Sequence, residues 1–236
     1  MAKNEMIETH EDLLKMLDQL LQEQRRFDWD SFYQDRERKV PFFINSPDEN
    51  LVTYFKKGLF NPGQVLELGC GPGRNAIYFA EQGCTVDAVD ISREAIEWAK
   101  DRALESGIEV CFIQENIFSL SIKESNYDII YDSGCFHHIP PHRRMSYLEL
   151  LRKALKPGGM FALTCFVEGG ELGGSAISDY EVYRLRSLQG GLGFTEEKLT
   201  RIFKEFEVLE LRKMEEHDPD TEFGSSSLWA ALFRKK

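Results

Sequence analysis

No apolar stretch in the 236-residue sequence is long enough to span a bilayer as a helix. The opening segment, MAKNEMIETHEDLLK, also lacks the apolar core of a secretion signal. Both absences predict a cytoplasmic protein. Positive charge is scarce as well, because 29 Lys and Arg residues face 40 Asp and Glu residues, for a net charge of −11. A field of that sign repels nucleic-acid phosphates and anionic lipids, so we predict neither a nucleic-acid nor a membrane partner.

Cysteine is also sparse, and its placement argues against two kinds of site. The five cysteines are an odd number with no closely spaced pair: Cys70, Cys84, Cys111, Cys135 and Cys165. That pattern predicts reduced thiols and no disulfide framework or zinc site. Three histidines stand near one another at His137, His138 and His142, but Pro140 and Pro141 interrupt their spacing. No fourth ligand is evident, so we predict no metal.

What the sequence does contain is a regular alternation of short apolar runs and amphipathic segments. The apolar runs predict strands at 65–68, 85–90, 109–114, 127–132 and 160–166. Helices are predicted at 73–82, after Ser92, and from about Pro141 to Leu155. Such alternation is typical of an α/β fold in which a doubly wound, mostly parallel sheet is covered by helices on both faces.

The alternation of apolar runs and amphipathic segments ends in the last third of the chain. Residues 167–194 are rich in glycine and serine, which predicts a lid-like insert with at most a short helix near 178–187. A helix is predicted over 194–206, with Thr195 as its N-cap. Two apolar runs then follow with no helix between them. Consecutive strands of that kind pair antiparallel, so we predict an antiparallel C-terminal strand pair.

The first 50 residues predict a helix followed by an irregular aromatic arm. Thr9 and Asp12 indicate the helix start. Its leucines then fall on one face: Leu13, Leu14, Leu17, Leu20 and Leu21. The stretch FDWDSFYQDRERKVPFF follows, and Pro41 interrupts it. We interpret this stretch as an arm that covers a cleft, with plain surface packing as the alternative.

The stretch ELGCGPGRNA places Gly69, Gly71 and Gly73 directly after the first predicted strand. In an open parallel sheet, ligands lie beyond the carboxyl ends of the strands, where glycines let the backbone approach closely. The dinucleotide pattern G-x-G-x-x-G fits poorly, because Arg74 stands where it requires its third glycine. Asp90 ends the second strand, where a carboxylate can accept both hydroxyls of a ribose. The site therefore fits a nucleoside without a pyrophosphate.

This combination resembles the class I methyltransferases that use S-adenosylmethionine. The segments that carry the resemblance are ELGCGPG (67–73), VDAVDIS (86–92), ENI (115–117), DIIYD (128–132) and LKPGG (155–159). They occur in the order and at the spacing of that family. The upstream region, together with GRNAIYFAEQGCTVDAVDIS, is similar to the thiopurine and tellurite methyltransferases of its small-molecule branch.

The resemblance implies a fold and an activity. The expected fold is Rossmann-like and seven-stranded, with a methyltransferase domain at 51–236 and the helix and arm of 1–50 covering its cleft. The expected reaction transfers a methyl group from S-adenosylmethionine to a small-molecule acceptor by in-line displacement, leaving S-adenosylhomocysteine. A protein or RNA methyltransferase and a non-catalytic binding protein are the alternatives. Arg74 argues against an NAD oxidoreductase, and both a monomer and a homodimer stay open.

The resemblance also implies the residues that surround the cofactor. Glu67 would reach the ammonium group, the loop of Gly69, Cys70, Gly71 and Gly73 would lie against the methionine moiety, Asp90 would hold the ribose, Ile91, Asn116 and Ile117 would border the adenine, and Asp132 and Gly134 would close the reactive side.

Catalysis and acceptor binding would fall to residues outside those motifs. We predict His137 or His138 as a general base or acceptor contact, because DSGCFHHIPPHRR follows the fourth strand. The alternative is that one histidine packs and the other lies in a solvated loop. Aromatic walls suit a small organic acceptor, and the predicted acceptor contacts are Tyr33 and Phe42 of the arm and Tyr180 and Arg184 of the insert.

Overall fold

The structure is a computed structural model that describes residues 6–22, 27–217 and 220–236. Its centre is one sheet made of β1 (Gln64–Leu68), β2 (Thr85–Asp90), β3 (Cys111–Gln114), β4 (Tyr127–Ser133), β5 (Leu155–Phe166), β6 (Phe206–Lys213) and β7 (Leu228–Lys235). The strand order is β3-β2-β1-β4-β5-β7-β6. The first five pair in parallel, whereas β7 runs antiparallel to both β5 and β6. The predicted fold class is confirmed.

Helices cover both faces of the sheet. They are α1 (His10–Gln22), α2 (Trp29–Gln34), α3 (Glu49–Lys56), α4 (Arg74–Glu81), α5 (Arg93–Ser106), α6 (Arg144–Ala154), α7 (Asp179–Leu185) and α8 (Glu196–Ile202). Successive strand residues point to opposite faces. Leu66 accordingly joins a core cluster with Leu151 of α6, while Val65 joins a second cluster with Phe79 of α4. Burial on both faces explains why these strands read as nearly continuous apolar runs.

The sheet brings the predicted motifs to one edge. Leu68, the last residue of β1, is level with Val89 on one neighbouring strand and with Asp132 on the other. The chain moves outward from β1 in both directions, so β1 and β4 flank the point where strand order reverses. The glycine loop, Asp90 and the histidine segment therefore emerge side by side at the carboxyl ends of β1, β2 and β4.

Several predicted boundaries are corrected by the structure. The arm is not wholly irregular, because Asp28 caps α2 by accepting hydrogen bonds from the N–H groups of Asp30 and Ser31. The helix predicted from Pro141 begins with a 3₁₀ turn, and Leu155 already belongs to β5. The sequence also gave no prediction for α3. Short helices such as α2 and α3 depend on the surface they pack against more than on a long periodic pattern.

Among the described residues, no helix combines the length and apolar character that a membrane crossing requires. Within those same ranges, no cluster of three or more His, Cys, Asp or Glu side chains is arranged to hold a metal ion.

Three consecutive residues after β4 fasten two outlying helices to the domain. The His142 ring contacts Asp18 of α1 through Nε2 at 2.8 Å and the Tyr183 hydroxyl of α7 through Nδ1 at 2.9 Å. The Arg143 guanidinium donates to Asp18 and to Glu11, also on α1. Next along the chain, the Arg144 guanidinium donates to both carboxylate oxygens of Asp179 at 2.9 and 2.8 Å. We call residues 142–144 the clamp, and it holds α1 and α7 against the segment that carries His137 and His138.

Arg143→Ala is expected to lower the free energy of unfolding by about 2 kcal/mol, between the values for buried and exposed ion pairs. The reason is that the Arg143 side chain is 7% exposed and its loss leaves Asp18 without two donors. Arg152→Ala is the matched control, because its pair with Glu205 is about half exposed on both sides. Urea denaturation of both variants measures the difference. Equal losses would mean that the clamp does not hold α1.

Candidate active site

The loop after β1 owes its shape to glycines with positive φ. Gly69, Gly71 and Gly73 have φ values of 69°, 50° and 79°, a left-handed conformation that other residues rarely adopt. The Gly69 N–H donates to the Val89 carbonyl at 2.8 Å, which turns the loop back over the end of β2. A methyl group at Gly69 would lie 2.6 Å from Cβ of Cys135. The loop therefore presents bare backbone at the carboxyl edge of the sheet, as its sequence predicted.

Asp90 is joined to this loop by hydrogen bonds from backbone groups. One carboxylate oxygen accepts from the Gly71 N–H at 2.9 Å, and the other accepts from the Ser92 N–H at 2.8 Å. Burial raises the pKa of Asp90 to about 6, although these backbone donors act in the opposite direction. A carboxylate oxygen can accept about two hydrogen bonds, so the two oxygens together have more acceptor positions than these backbone donors occupy. Ribose hydroxyls are donors that suit such positions.

Glu67 is buried in β1, and no donor among the described residues reaches its Oε2 atom. Burial raises the pKa of Glu67 to about 8; the Arg74 guanidinium opposes the rise, and the Asp48 carboxylate adds to it. A buried carboxyl oxygen without a donor is energetically costly. Its position at the end of β1 marks it as a group that a cationic ligand would stabilise.

Arg74 is held by a carboxylate that sequence reasoning missed. Its Nη2 atom lies 2.5 Å from Oδ1 of Asp48, and the same carboxylate accepts from Nδ2 of Asn75 and the hydroxyl of Tyr131. Asp48 is fully buried. Nothing local in the sequence distinguishes this aspartate from the many exposed ones, since its partners lie far along the chain. Arg74 thus has a structural partner at the position where it replaces the dinucleotide glycine.

Asp132 organises the segment after β4. Its Oδ1 accepts from the N–H groups of Cys135 and Phe136 at 2.9 and 3.2 Å, and its Oδ2 accepts from the Tyr147 hydroxyl at 2.7 Å. Burial raises the pKa of Asp132 to about 7. Gly134 follows with φ of 99°. These bonds fix the turn that leads to the histidines, and a direct role of Asp132 or Gly134 toward a cofactor stays a prediction.

The two adjacent histidines occupy different environments. His137 is buried, its ring stacks on Phe166 at 3.7 Å, and its Nδ1 accepts from the Phe166 N–H at 3.2 Å. With Nδ1 accepting, the neutral ring carries its proton on Nε2 and has no free lone pair. His138 meets the edge of Trp29 at 4.9 Å, and burial lowers its pKa to about 4. Its ring nitrogens make no hydrogen bond within the part of the chain that the structure describes, and a role of either histidine as a base stays a prediction.

The arm lies directly on the glycine loop. A methyl group at Gly71 would be 3.1 Å from the Tyr33 hydroxyl, and Tyr33 is buried. The arm is fastened to α5, because the Ser92 hydroxyl donates to Asp30 at 2.7 Å and the Arg36 guanidinium donates to Asp101 at 2.8 Å. Tyr33 therefore reaches the site as expected of a residue in a covering arm.

The insert also contacts the site, through its ends more than through its helix. Bridges join Val167 to Phe194 and Ser175 to Leu192. A methyl group at Gly191 would lie 2.8 Å from the Phe166 ring and 3.3 Å from the His137 ring. Both ends of the insert are thus anchored beside the histidines, while its mobility stays a prediction.

Three of the remaining predicted residues lie elsewhere. Phe42 stacks on Phe32 within the arm, and Tyr180 is 77% exposed on α7. Arg184 turns toward Glu181 on the same helix, with the nitrogen and oxygen 3.7 Å apart. Tyr180 and Arg184 lie in solvent on α7, and the structure does not bring them together with the histidines. Helix geometry alone does not tell which tyrosine of a short helix turns inward.

The three residues predicted to border an adenine have different environments. Ile91 follows Asp90 and is 40% exposed, so its side chain is open to a ligand. The Asn116 side chain accepts from the Phe118 N–H at 2.9 Å, and Ile117 is buried in the core. Cys70 is buried with a raised thiol pKa, which fits packing and not chemistry.

Phe166 is a residue of the site that sequence reasoning missed. It ends β5 and stacks on His137. Its place at the carboxyl end of a parallel strand was a usable signal, since ligand sites gather at that edge.

Comparison with known proteins shows what the chain is similar to. Residues 65–159 match the family model described as "Methyltransferase domain". The chain is 31% identical over 129 residues to the 2-heptyl-1-hydroxyquinolin-4(1H)-one methyltransferase of Mycobacteroides abscessus, covering 54% of this chain and 56% of that protein. It is 35% identical over 117 residues to the ubiquinone biosynthesis O-methyltransferase of Salmonella typhimurium, covering 49% and 47%. The chain spans about half the length of the curated relatives it matches.

Solved structures confirm the fold over a longer span. The 1,6-didemethyltoxoflavin-N1-methyltransferase of Burkholderia thailandensis, solved with S-adenosylhomocysteine, has a TM-score of 0.63 at 22% identity and covers 100% of this chain and 93% of its own. TehB from Haemophilus influenzae has a TM-score of 0.62 at 21% identity, covering 88% and 66%. The resemblance inferred from the five sequence segments is confirmed by the family match.

Glu67→Gln is expected to flatten the fall in stability between about pH 4.5 and about pH 8. The pKa of Glu67 is raised from 4.5 to about 8, so the folded chain keeps a proton that the unfolded chain releases. Stability therefore falls as pH rises from the unfolded value through the folded one. Glutamine has nearly the same size and no charge to bury.

The measurement is the urea midpoint of wild type and variant at about pH 5 and about pH 9, which span most of that window. The wild-type midpoint should drop more than that of the variant. Glu97→Gln is the control, because Glu97 is an exposed partner of Lys100 on α5. Identical drops in wild type and Glu67→Gln would show that Glu67 is not protonated in the fold.

Proposed function

We propose that this chain, which carries a methyltransferase domain at residues 65–159, transfers a methyl group from S-adenosylmethionine to a small organic acceptor. The observation that carries the proposal is the joining of Asp90 to the glycine loop. Both carboxylate oxygens are held by backbone N–H groups, and a carboxylate oxygen can accept about two hydrogen bonds, so Asp90 would also accept from ribose hydroxyls.

The residues present fit the cofactor. Asp90 would hold the ribose, and the loop from Gly69 to Gly73 would lie along the methionine moiety. Glu67 would meet the ammonium group, because its Oε2 atom is buried without a donor. Ile91, partly exposed beside Asp90, would pack on the adenine. When bound, S-adenosylmethionine supplies a methyl group already activated by its sulfonium.

The protein's own contribution to the reaction is position and protection from water. Holding two reactants in an attack geometry can contribute about 7–11 kcal/mol to lowering a barrier. Tyr33 of the arm lies over Gly71, and Gly191 of the insert lies against Phe166 and His137, so both segments border the glycine loop or the histidines. The bound cofactor would supply the methyl group and leave as S-adenosylhomocysteine, and His138 or water would take the proton that the acceptor's oxygen, nitrogen or sulfur loses on forming its bond to the methyl carbon.

The position of the arm and the insert over these residues supports a small molecule, since a protein or RNA acceptor would need an open groove. Two similar proteins also support a small-molecule acceptor. One is named as a methyltransferase of a hydroxyquinolinone, and the other was solved with 1,6-didemethyltoxoflavin. We further propose a cytoplasmic monomer or homodimer without nucleic-acid or membrane partners, in keeping with the net charge of −11 and the unpaired cysteines.

Turnover tests the proposal directly. The purified chain is incubated with methyl-labelled S-adenosylmethionine and a panel of small phenols, nitrogen heterocycles, thiols and acids. Label should move to at least one acceptor, with one S-adenosylhomocysteine formed for each methyl transferred. Tight cofactor binding with no transfer to any panel member would favour the non-catalytic binding protein.

Asp90→Ala should weaken binding of S-adenosylhomocysteine by well over tenfold, because a carboxylate that accepts two hydroxyls makes charge-assisted bonds to both. Calorimetric titration measures the change. Glu97→Ala is the control, since Glu97 also lies on α5 and its side chain is about half exposed. Asp90→Asn, together with the melting temperature, separates loss of the ligand contact from loss of the loop. Unchanged affinity in a folded Asp90→Ala protein would remove the ribose from this position.

His138→Phe should lower kcat by about 10²–10⁴-fold if the acceptor must lose a proton, while keeping the ring that packs on Trp29. His137→Ala should lower thermal stability more than kcat, because His137 is buried against Phe166. The pH profile of kcat for each variant makes the comparison. Intact kcat in both variants would eliminate a histidine base.

A further inference from the structure

A contiguous series of aromatic rings leads from the glycine loop to the insert. Tyr33 lies over Gly71, and Trp29 stacks on Tyr33 with ring centres 6.1 Å apart and planes 26° apart. The edge of Trp29 meets His138 at 4.9 Å, and His138 meets His137 at 4.4 Å. His137 in turn stacks on Phe166, against which Gly191 packs. A molecule placed next to the cofactor loop on this path meets ring faces and edges.

Four cationic side chains near this series are engaged by carboxylates, and a fifth, Arg102, donates to the backbone carbonyls of Phe43 and Pro72. Arg74 is paired with Asp48, and Arg36 is paired with Asp101. Within the clamp, Arg143 is paired with Asp18 and Glu11, and Arg144 is paired with Asp179. These pairs leave none of the four guanidiniums as a free counter-charge for an anionic acceptor.

The histidines do not supply a positive charge either. Burial lowers the pKa of His138 to about 4 and that of His137 well below its ordinary value, so both rings are neutral near pH 7. The carboxyl groups of Asp90 and Asp30 lie on the other side of the series, near Ser92. An acceptor that carried a carboxylate would therefore face negative charge and aromatic rings, and it would lose its hydration without gaining a partner.

We propose that the acceptor is an uncharged, flat aromatic or heteroaromatic molecule that packs against Trp29 and His138, with Trp29 as the specificity-determining contact. Flat rings gain offset or edge-to-face contacts with such walls. Polar atoms along the series, among them the Tyr33 hydroxyl and the His138 nitrogens, match a ring hydroxyl or ring nitrogen as the nucleophile. The inference rests on the proposed function, because it takes the glycine loop as the cofactor site.

The test uses two probes that differ by one carboxylate: 4-hydroxyquinoline and 4-hydroxyquinoline-2-carboxylate. Each is titrated by calorimetry into the full chain saturated with S-adenosylhomocysteine. The uncharged probe should bind at least tenfold more tightly. Cyclohexanol, which is neither flat nor aromatic, should bind more weakly still.

Trp29→Leu should weaken the uncharged probe by about tenfold, as expected when an aromatic contact and its buried area are lost, and Trp29→Phe should restore most of the affinity. Phe55→Leu is the matched control on α3, because Phe55 is a partly buried aromatic that packs against Phe60 and Phe79. It should leave the affinity of the probe unchanged. Melting temperatures confirm that each variant is folded.

The outcomes separate this inference from the proposed function. Absence of S-adenosylhomocysteine binding would overturn both. If S-adenosylhomocysteine binds, three results would each overturn this inference alone. They are equal or tighter binding of the carboxylate probe, no binding of either probe, and no effect of Trp29→Leu.

Discussion

The two hydrogen bonds that Asp90 accepts from Gly71 and Ser92 are the contacts on which the rest of the site depends. They join the end of β2 to the glycine loop and to the start of α5. The Ser92 hydroxyl then donates to Asp30, which brings the arm to the same point and places Tyr33 over the loop. One buried carboxylate thus connects the strand, the loop, the helix and the covering arm.

A second constraint is the amount of negative charge buried near this edge. Glu67, Asp90 and Asp132 are all buried, and burial raises the pKa of each, to about 8, 6 and 7. Asp132 accepts three hydrogen bonds from loop and side-chain donors, whereas Oε2 of Glu67 accepts none among the described residues. A ligand with an ammonium, a sulfonium and two hydroxyls would supply positive charge and hydrogen-bond donors to these buried carboxyl groups. These buried carboxyl groups lower the stability of the free protein, and ligand binding would raise it, as is common at functional sites.

The alternation of strands and helices, the glycine loop and Asp90 were predictable because each depends on residues close together in the chain. The different tertiary surroundings of residues that are neighbours in the chain could not be predicted. His137 and His138 are adjacent, yet only the first has its Nδ1 taken by a backbone N–H. Tyr183 reaches His142 whereas Tyr180 is exposed. The partner of Arg74 was equally hidden, since Asp48 lies 26 positions away.

Calorimetric titration of the purified chain with S-adenosylmethionine, and separately with NAD, tests the central claim most directly. The account predicts roughly micromolar binding of S-adenosylmethionine, near −8 kcal/mol, and no binding of NAD. Binding of NAD alone would contradict it, because the glycine loop would then hold a pyrophosphate despite Arg74, and the ribose and ammonium assignments of Asp90 and Glu67 would both fail.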